Sequence, residues 1–521
     1  MAPVSNRKSS YEQVREENIR HRLKVLESLN LGNDFKQLQG ILPEEKKPVV
    51  KRLQTKPKQA VEPTRRSGRL QNRICTGAYV NMDYQSLERL AMATAKAEAE
   101  EARKQEDLPR GDLAVTDYVS PKSSIDDCNA ITNIIRSCQF GSITDTDQLD
   151  PPAFGLQYWD ASDEQKLCKQ LKMLKHNTPF SDVQGIKVTP ERIFSLTVFP
   201  SANQLIVAAG DKWGALGLCS FRTDWESIPG DLCEPTIGVF KPHSRPVSEL
   251  TFNRFNPGSS AVFSSSYDGF IRATDFEAGL FRDIYLSEED IVKSITFQSQ
   301  NVIYAVLHAG SVVAVDLRIP TGNNYTESMT RGSSVRSISF HPNMQQYFIT
   351  ADSSCIALWD VRKLDAKKLK SNNAIWNYTK RYGFVSALFS PLTGNKILAA
   401  GGREKIYIFD SSSMNHDTVS NKTMCEEDVC VWLVCDFGLH NNNQGRWLTK
   451  LKPKWHPKSE NYFITGCLDP APRKSEIYNS SGEIVRKLLG ASSIGSLNEF
   501  HSFLTLAVGA SASGRLHVYS T

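Results

Sequence analysis

Residues 335–363 read VRSISFHPNMQQYFITADSSCIALWDVRK, and the way this stretch is built decides the fold. An apolar run entered through Val335 breaks at His341-Pro342-Asn343. A second run ends in the small residues of Ala351-Asp352-Ser353-Ser354, and a third closes on Trp359-Asp360. Short β-branched and aromatic segments separated by turn residues predict strands joined by tight turns. The same sentence is written at 196–221 (LTVFPSANQLIVAAGDKWGALGLCSF), 247–276 (VSELTFNRFNPGSSAVFSSSYDGFIRATDF), 292–318 (VKSITFQSQNVIYAVLHAGSVVAVDLR) and 385–413 (VSALFSPLTGNKILAAGGREKIYIFDSSS). The closing acids Asp316, Asp360 and Asp410 lie 44 and 50 residues apart. That period, at about four short strands per unit, predicts a β-propeller of WD repeats.

Two further copies bring the count to seven blades. One runs from Trp447 through LKPKWHPKSENYFITGCLD to about Leu489, and the last is SLNEFHSFLTLAVGASASGRLHVYS at 496–520. The fold class is therefore all-β: a seven-bladed WD-repeat propeller over 181–521, behind a partly disordered, partly helical extension over 1–180. An open ring would leave two bare sheet edges, so Gly185–Val188 is expected to pair with Leu516–Ser520. The alternation assigns Ile338, Phe340, Ile356, Leu358, Leu388 and Phe389 to packing between blades, and Trp359, Trp455 and Phe409 to the aromatic slots of the repeat. His243, four residues before Val247, is expected to join a buried hydrogen-bond network with a turn acid such as Asp268 and to have no catalytic role.

In the extension, Val14, Ile19, Leu23, Leu26 and Leu29 fall near helical spacing over 10–30, with Gly32 as a stop. This helix either packs on its own domain or receives a partner. Residues 43–73 are rich in Pro, Lys and Arg and are expected to be disordered when free. An Ala/Glu/Lys-rich stretch predicts a helix over 86–106. The chain then reads as irregular and polar to about Gln157, before a helix over 163–175.

The formal charge of +5 is unevenly spread. Between Lys46 and Arg73 ten Lys/Arg face one acid, Glu62, so this tract carries +9 and the remainder −4. A cationic tract on a near-neutral body suits an anionic polymer or a nuclear-import receptor better than a membrane. Within it PTRRSGRLQNR sets Arg65, Arg66, Arg69 and Arg73 on a backbone loosened by Gly68, fit to follow phosphates or a narrow minor groove. Import alone is the alternative, and the two are compatible. Eleven scattered cysteines without a framework and a polar N-terminus point to a reduced compartment, cytosol or nucleus.

No phosphate-binding loop, dinucleotide fingerprint, zinc-protease motif or nucleophile elbow is present in the sequence. Cys425, Cys430 and Cys435 recur every five residues, which suits neither paired zinc ligands nor a helix face. No enzyme, cofactor, metal or small-molecule substrate is expected. Cations and aromatics instead collect in the loops between strands: Lys212-Trp213, Arg245, Arg331, Lys380-Arg381-Tyr382, Arg403, Arg446-Trp447 and Arg473-Lys474. Loops of successive blades that converged on the axis would make one basic ring able to grip a phosphate backbone and hold an unstacked base. The rival reading is a protein-interaction scaffold, either a ubiquitin-ligase substrate receptor or an adaptor on chromatin, whose tail serves only import.

The segments SSSYDGFIRATDFEAG (264–279), KPKWHP (452–457) and SLNEFHSF (496–503), with REENIRHRLKVLESLNLG (15–32) and PTRRSGRL (63–70), resemble the WD-repeat damage-specific DNA-binding family, most closely its fungal members. The resemblance implies binding of single- and double-stranded DNA, with a preference for UV-damaged DNA, in the nucleus and on chromatin. It implies a DNA contact for Lys212 and places Arg331 near a second cationic loop. Where the family carries an aromatic hairpin this chain reads GLHNNNQGRW (438–447), which has no Phe at its tip and leaves His440, Gln444 and Arg446 to probe an opened lesion. The resemblance also implies docking of a cullin-RING ligase adaptor through Arg318 and Arg362, which follow Asp at the ends of adjacent blades.

Overall fold

A computed structural model describes residues 110–138, 161–177 and 185–521, apart from residue 122 and the segments 202–203, 222–234, 257–258, 321–324, 330–333, 365–373, 381, 403–404, 413–421, 425–432, 437–448, 470–471 and 492. The helices expected over 10–30 and 86–106 and the basic tract 43–73 lie outside the described residues.

Seven sheets of four or five strands follow one another along the chain, antiparallel except where Trp376–Thr379 pairs in parallel with Lys422–Met424. The opening stretch supplies Val335–Phe340, Tyr347–Asp352 and Cys355–Asp360 of blade 4, and Trp376–Thr379 completes its meander. The first strands of the seven blades are Ile193–Val198, Val247–Phe252, Val292–Ser299, Val335–Phe340, Phe384–Phe389, Lys454–Trp455 and Gly495–Phe500. The ring closes as expected: Ile186 pairs with Leu516 and Lys187 with Arg515. Lys175–Asn177 continues the same edge, with His176 opposite Tyr519.

Because each blade is an antiparallel meander, its loops sort to two faces. Turns between second and third strands share one face, here called upper, with the connections from each fourth strand to the next blade. Turns between first and second, and between third and fourth strands, lie on the lower face. Sequence spacing does not show this sorting; strand direction does.

The interblade core follows the alternation. Ile338, Phe340, Ile356, Leu358 and Phe389 are buried, while Leu388 is half-buried against the cluster of Leu398, Ile408 and Trp455. Trp359 is buried and its indole donates to Thr350 Oγ1 at 2.9 Å. Each such aromatic withdrawn from water contributes on the order of 1.5–3 kcal/mol.

The stretch read as irregular to Gln157 is corrected by the structure. Ile125–Ser137 forms a helix, α1, whose Ser124 hydroxyl accepts from Asp126 N at 3.2 Å. Asp126 and Asp127 occupy its first turn and Arg136 its last, matching the helix dipole. Its buried residues Cys128, Ile131, Thr132 and Ile135 form a stripe against the outer strand Thr236–Phe240 of blade 1. One of these is Thr and one Cys, which is why the stripe is hard to see in the sequence. Leu113–Ala114 adds a fifth strand to blade 2, and a second helix, α2, spans Ala161–Met173 and packs on blades 6 and 7. These pieces cover outer edges that would otherwise stand open.

Candidate nucleic-acid interface

Of the DNA-binding residues expected from sequence, Lys212, Trp213, Arg245 and Lys380 are described, and strand direction places all four on the upper face. The turn Asp211–Ala215 shows how one of them is held. Asp211 Oδ1 accepts from Trp213 N at 2.7 Å and Ala215 N at 2.9 Å. Gly214 (φ 87°) sits so close to the His243 carbonyl that any Cβ would collide with it. Lys212 is left projecting, its ammonium 4.3 Å from the Trp213 ring. Lys380 lies across blade 5, its ammonium 4.9 Å from the Tyr407 ring. Arg331, Arg381, Arg403, His440 and Arg446, and the tail residues Arg65, Arg66 and Arg69, lie outside the described residues. Lys474 leaves the basic set: its ammonium is 2.9 Å from both Asp469 and Glu476.

The structure adds residues that the loop-based reading missed. Six of the seven first strands carry a register shift at the same place near their upper ends: Ile193/Ser195, Val247/Glu249, Val292/Ser294, Val335/Ser337, Phe384/Ser386 and Gly495/Leu497. A bulge re-aims the extra side chain. The extra residues include Phe194, Lys293 and Arg336, all half-buried around the upper mouth of the central channel. Lys293 Nζ stands 3.8 Å from the Tyr267 ring, and Tyr267 meets Phe194 edge-on at 6.2 Å. Arg192 covers Phe194 from 5.1 Å. Thr449 Oγ1 donates to Ile193 O, drawing the lead-in of blade 6 across to blade 1 beside this mouth. Burial, and then the nearby Arg336 charge, pull the Lys450 ammonium below its usual range. The expectation that cations avoid the strands is thus corrected. The signal that could have found them is the opening Val-Lys-Ser of VKSITF and Val-Arg-Ser of VRSISF.

One step deeper the charges are compensated. Lys452, leading into blade 6, reaches across the channel to Glu249 of blade 2 at 2.8 Å, and Lys454 lies 4.0 Å from the same carboxylate. Burial alone would raise Glu249, but Lys452 and Lys454 hold it below the usual carboxylate range. Glu499 faces the same cavity, where burial pushes its carboxyl up to about 7 against the pull of Lys454. Two acids and two lysines therefore bar the channel beneath the mouth.

The lower face carries Arg318 and Arg362, held alike. Each guanidinium makes a two-pronged bond to the Asp two residues earlier: 2.9 and 2.6 Å to Asp316, 3.0 and 2.7 Å to Asp360. Both side chains remain 67% exposed. His243 and His341 are structural. His243 lies 3.1 Å from Asp268 and 2.8 Å from Ser264, as expected. His341 Nδ1 accepts from Asn343 N and Met344 N in its lower turn, and burial pulls its imidazole down to about 4. Among the described residues Cys467, Asp469 and Glu476 alone cluster as metal ligands would, and Lys474 already supplies their cation.

Seven WD-type sheets about one channel, with cations and aromatics at its upper mouth, define a WD-repeat propeller. Residues 234–275 match the family described as WD domain, G-beta repeat. The chain is 36% identical over 338 residues to WD repeat-containing protein 76 of Xenopus laevis, covering 64% of this chain and 54% of that one. It is 29% identical over 520 residues to the protein of the same name from Rhinolophus ferrumequinum, 98% of this chain and 74% of that one. It is 26% identical over 532 residues to DNA damage-binding protein cmr1 of Neurospora crassa, 98% and 97% of the two lengths. The chain thus spans about half the length of the Xenopus relative and nearly all of the Neurospora one. The chain carries a WD repeat, and its similarity to the Neurospora protein extends over 98% of its length.

Proposed function

We propose that this chain is a non-catalytic nuclear protein that binds single- and double-stranded DNA through the upper face of its propeller, with a modest preference for UV-damaged duplex. The observation that carries the reading is the set of cations around the mouth, Lys293, Arg336 and Lys450, none with a carboxylate at ion-pair distance among the described residues. Around them stand Lys212, Arg245 and Lys380, with Trp213, Phe194 and Tyr267 as stacking surfaces. The name of the Neurospora relative points to the same ligand. Arg331, Arg381, Arg403, His440 and Arg446 would extend this surface, and Arg65, Arg66 and Arg69 would add phosphate contacts from the tail. Affinity then comes mostly from displaced counterions and falls steeply with salt. The test is retardation of a duplex by the full chain at two salt concentrations. Failure to bind at low salt overturns the reading, while equal binding of irradiated and intact duplex removes only the damage preference.

A second surface is favoured by the matched presentation of Arg318 and Arg362 on adjacent blades of the opposite face. It suits docking of a protein, a cullin-RING ligase adaptor or another chromatin-associated partner, while DNA occupies the upper face. Capture of a purified adaptor by wild type and not by the Arg318→Ala/Arg362→Ala variant is the expected result.

A further inference from the structure

Three cations sit near the upper ends of the inner strands, at the mouth of the channel. Lys293 and Arg336 are the bulged residues of adjacent first strands in blades 3 and 4, and Lys450 enters from the lead-in to blade 6. Arg336 is tied sideways, Nη1 donating to Phe384 O at 2.8 Å, which fixes its guanidinium in place. The acid that acts on it, Asp352, spends its Oδ1 on the Ser354 and Cys355 amides and is not at ion-pair distance. Lys293 has only the Tyr267 ring as its described contact. Like charges with no acid paired to them among the described residues disfavour one another, and an anion placed among them relieves that cost. Below the mouth, Lys452 and Glu249 meet across the channel. The mouth is therefore a seat for one anionic group, with an aromatic beside it and a matched ion pair beneath.

We propose that the mouth of the channel seats the terminal phosphate of a nucleic-acid strand end, with the last base stacked on Tyr267 or Phe194. The inference rests on the DNA-binding reading above and names the part of the nucleic acid that this site takes. A terminal phosphate monoester carries roughly −1.5 to −2 charges at neutral pH, more than a diester inside the chain, and suits three converging cations. It also stands at the tip of a flexible strand, so it can enter the mouth end-on. The neighbouring aromatics favour a nucleotide over a phosphorylated peptide.

The experiment uses the full chain at fixed salt and fluorescence anisotropy. The probes are duplexes with a short single-stranded overhang ending in phosphate or in hydroxyl, prepared for the 5′ and the 3′ end, and a blunt hydroxyl-ended duplex. A phosphate at one of the two ends is expected to tighten binding about tenfold, the equivalent of one charge-assisted contact. Lys293→Ala/Lys450→Ala should abolish that gain, and Lys293→Arg/Lys450→Arg should keep most of it. Both variants lose some affinity for the blunt duplex along with the removed charges, so the readout is the ratio of phosphate-ended to hydroxyl-ended affinity within each variant, which the outer cations keep measurable. Equal affinity for phosphate and hydroxyl ends overturns the inference, as does a gain that survives the double alanine change. Displacement of the overhang by a phosphoserine peptide as readily as by a phosphorylated oligonucleotide overturns it too. If blunt binding persists while end discrimination is absent, only this inference falls. If no probe binds, the DNA-binding reading falls with it.

Discussion

Two layers of the same channel, one residue step apart, handle charge in opposite ways. At the mouth, Lys293, Arg336 and Lys450 have no carboxylate at ion-pair distance among the described residues, and burial, then the Arg336 charge, pulls Lys450 down. Just below, Lys452 and Lys454 are matched by Glu249 and Glu499 across the axis. Matched charges inside a protein serve its own structure, and unmatched ones await a partner. The contrast separates what holds the ring together from what the ring is for. Composition cannot make that separation, because both layers are counted as Lys and Arg alike.

The comparison presupposes a closed ring, so the largest effect should come from opening it. Removal of residues 512–521 deletes Arg515–Ser520, which pairs with Leu506–Ser511, Ile186–Lys187 and Lys175–Asn177. The whole propeller is expected to lose its cooperative thermal transition; a surviving transition with only a frayed last blade would refute the closure. Next, Glu249→Gln leaves two buried lysines poorly matched and should cost about 3 kcal/mol in chemical denaturation. The same measurement on Lys293→Ala at the mouth should show no loss of that size, and a comparable loss would erase the contrast between layers.

Lys212→Glu/Arg245→Glu/Lys380→Glu should weaken duplex binding about a hundredfold at moderate salt and flatten its salt dependence by about three contacts, with the melting temperature little changed. Unaltered affinity in a gel-shift titration would clear the outer upper face. A smaller effect concerns pH. The Glu499 carboxyl is raised to about 7 in the folded protein from an ordinary 4.5, by burial foremost. The folded state therefore holds a proton that the unfolded chain releases, and this contribution is full below the unfolded value and lost as pH rises through about 7. Denaturation midpoints of wild type should fall between pH 5.5 and 8 relative to those of Glu499→Gln, and parallel curves would argue that the quartet is not coupled. Smallest of all, Arg318→Ala/Arg362→Ala should leave both the melting midpoint and DNA affinity unmoved. Any change in DNA binding there would mean that the two faces do not work separately.

Much of the scaffold was legible because β-propellers repeat, and repetition survives in one dimension. The seven blades, the pairing of Ile186 with Leu516, and the His243–Asp268 contact all follow from positions within the repeat. Helix α1 was not legible, since its stripe runs through Cys128 and Thr132. Nor were Phe194, Lys293 and Arg336: each occupies an ordinary strand position in the sequence, and only a bulge turns it toward the mouth. Lys474 erred the other way, a loop-end cation that its own acids neutralise.

By itself the order of residues determined the kind of molecule, because alternation and a fixed period are properties of neighbours along the chain. It also supplied the cations. Which of them meet an acid, which share a face, and which converge on the axis was decided by folding alone. Antiparallel strand direction sends Lys212, Arg245 and Lys380 one way and Arg318 and Arg362 the other, and ring closure brings blades 2 and 6 within a salt bridge of each other.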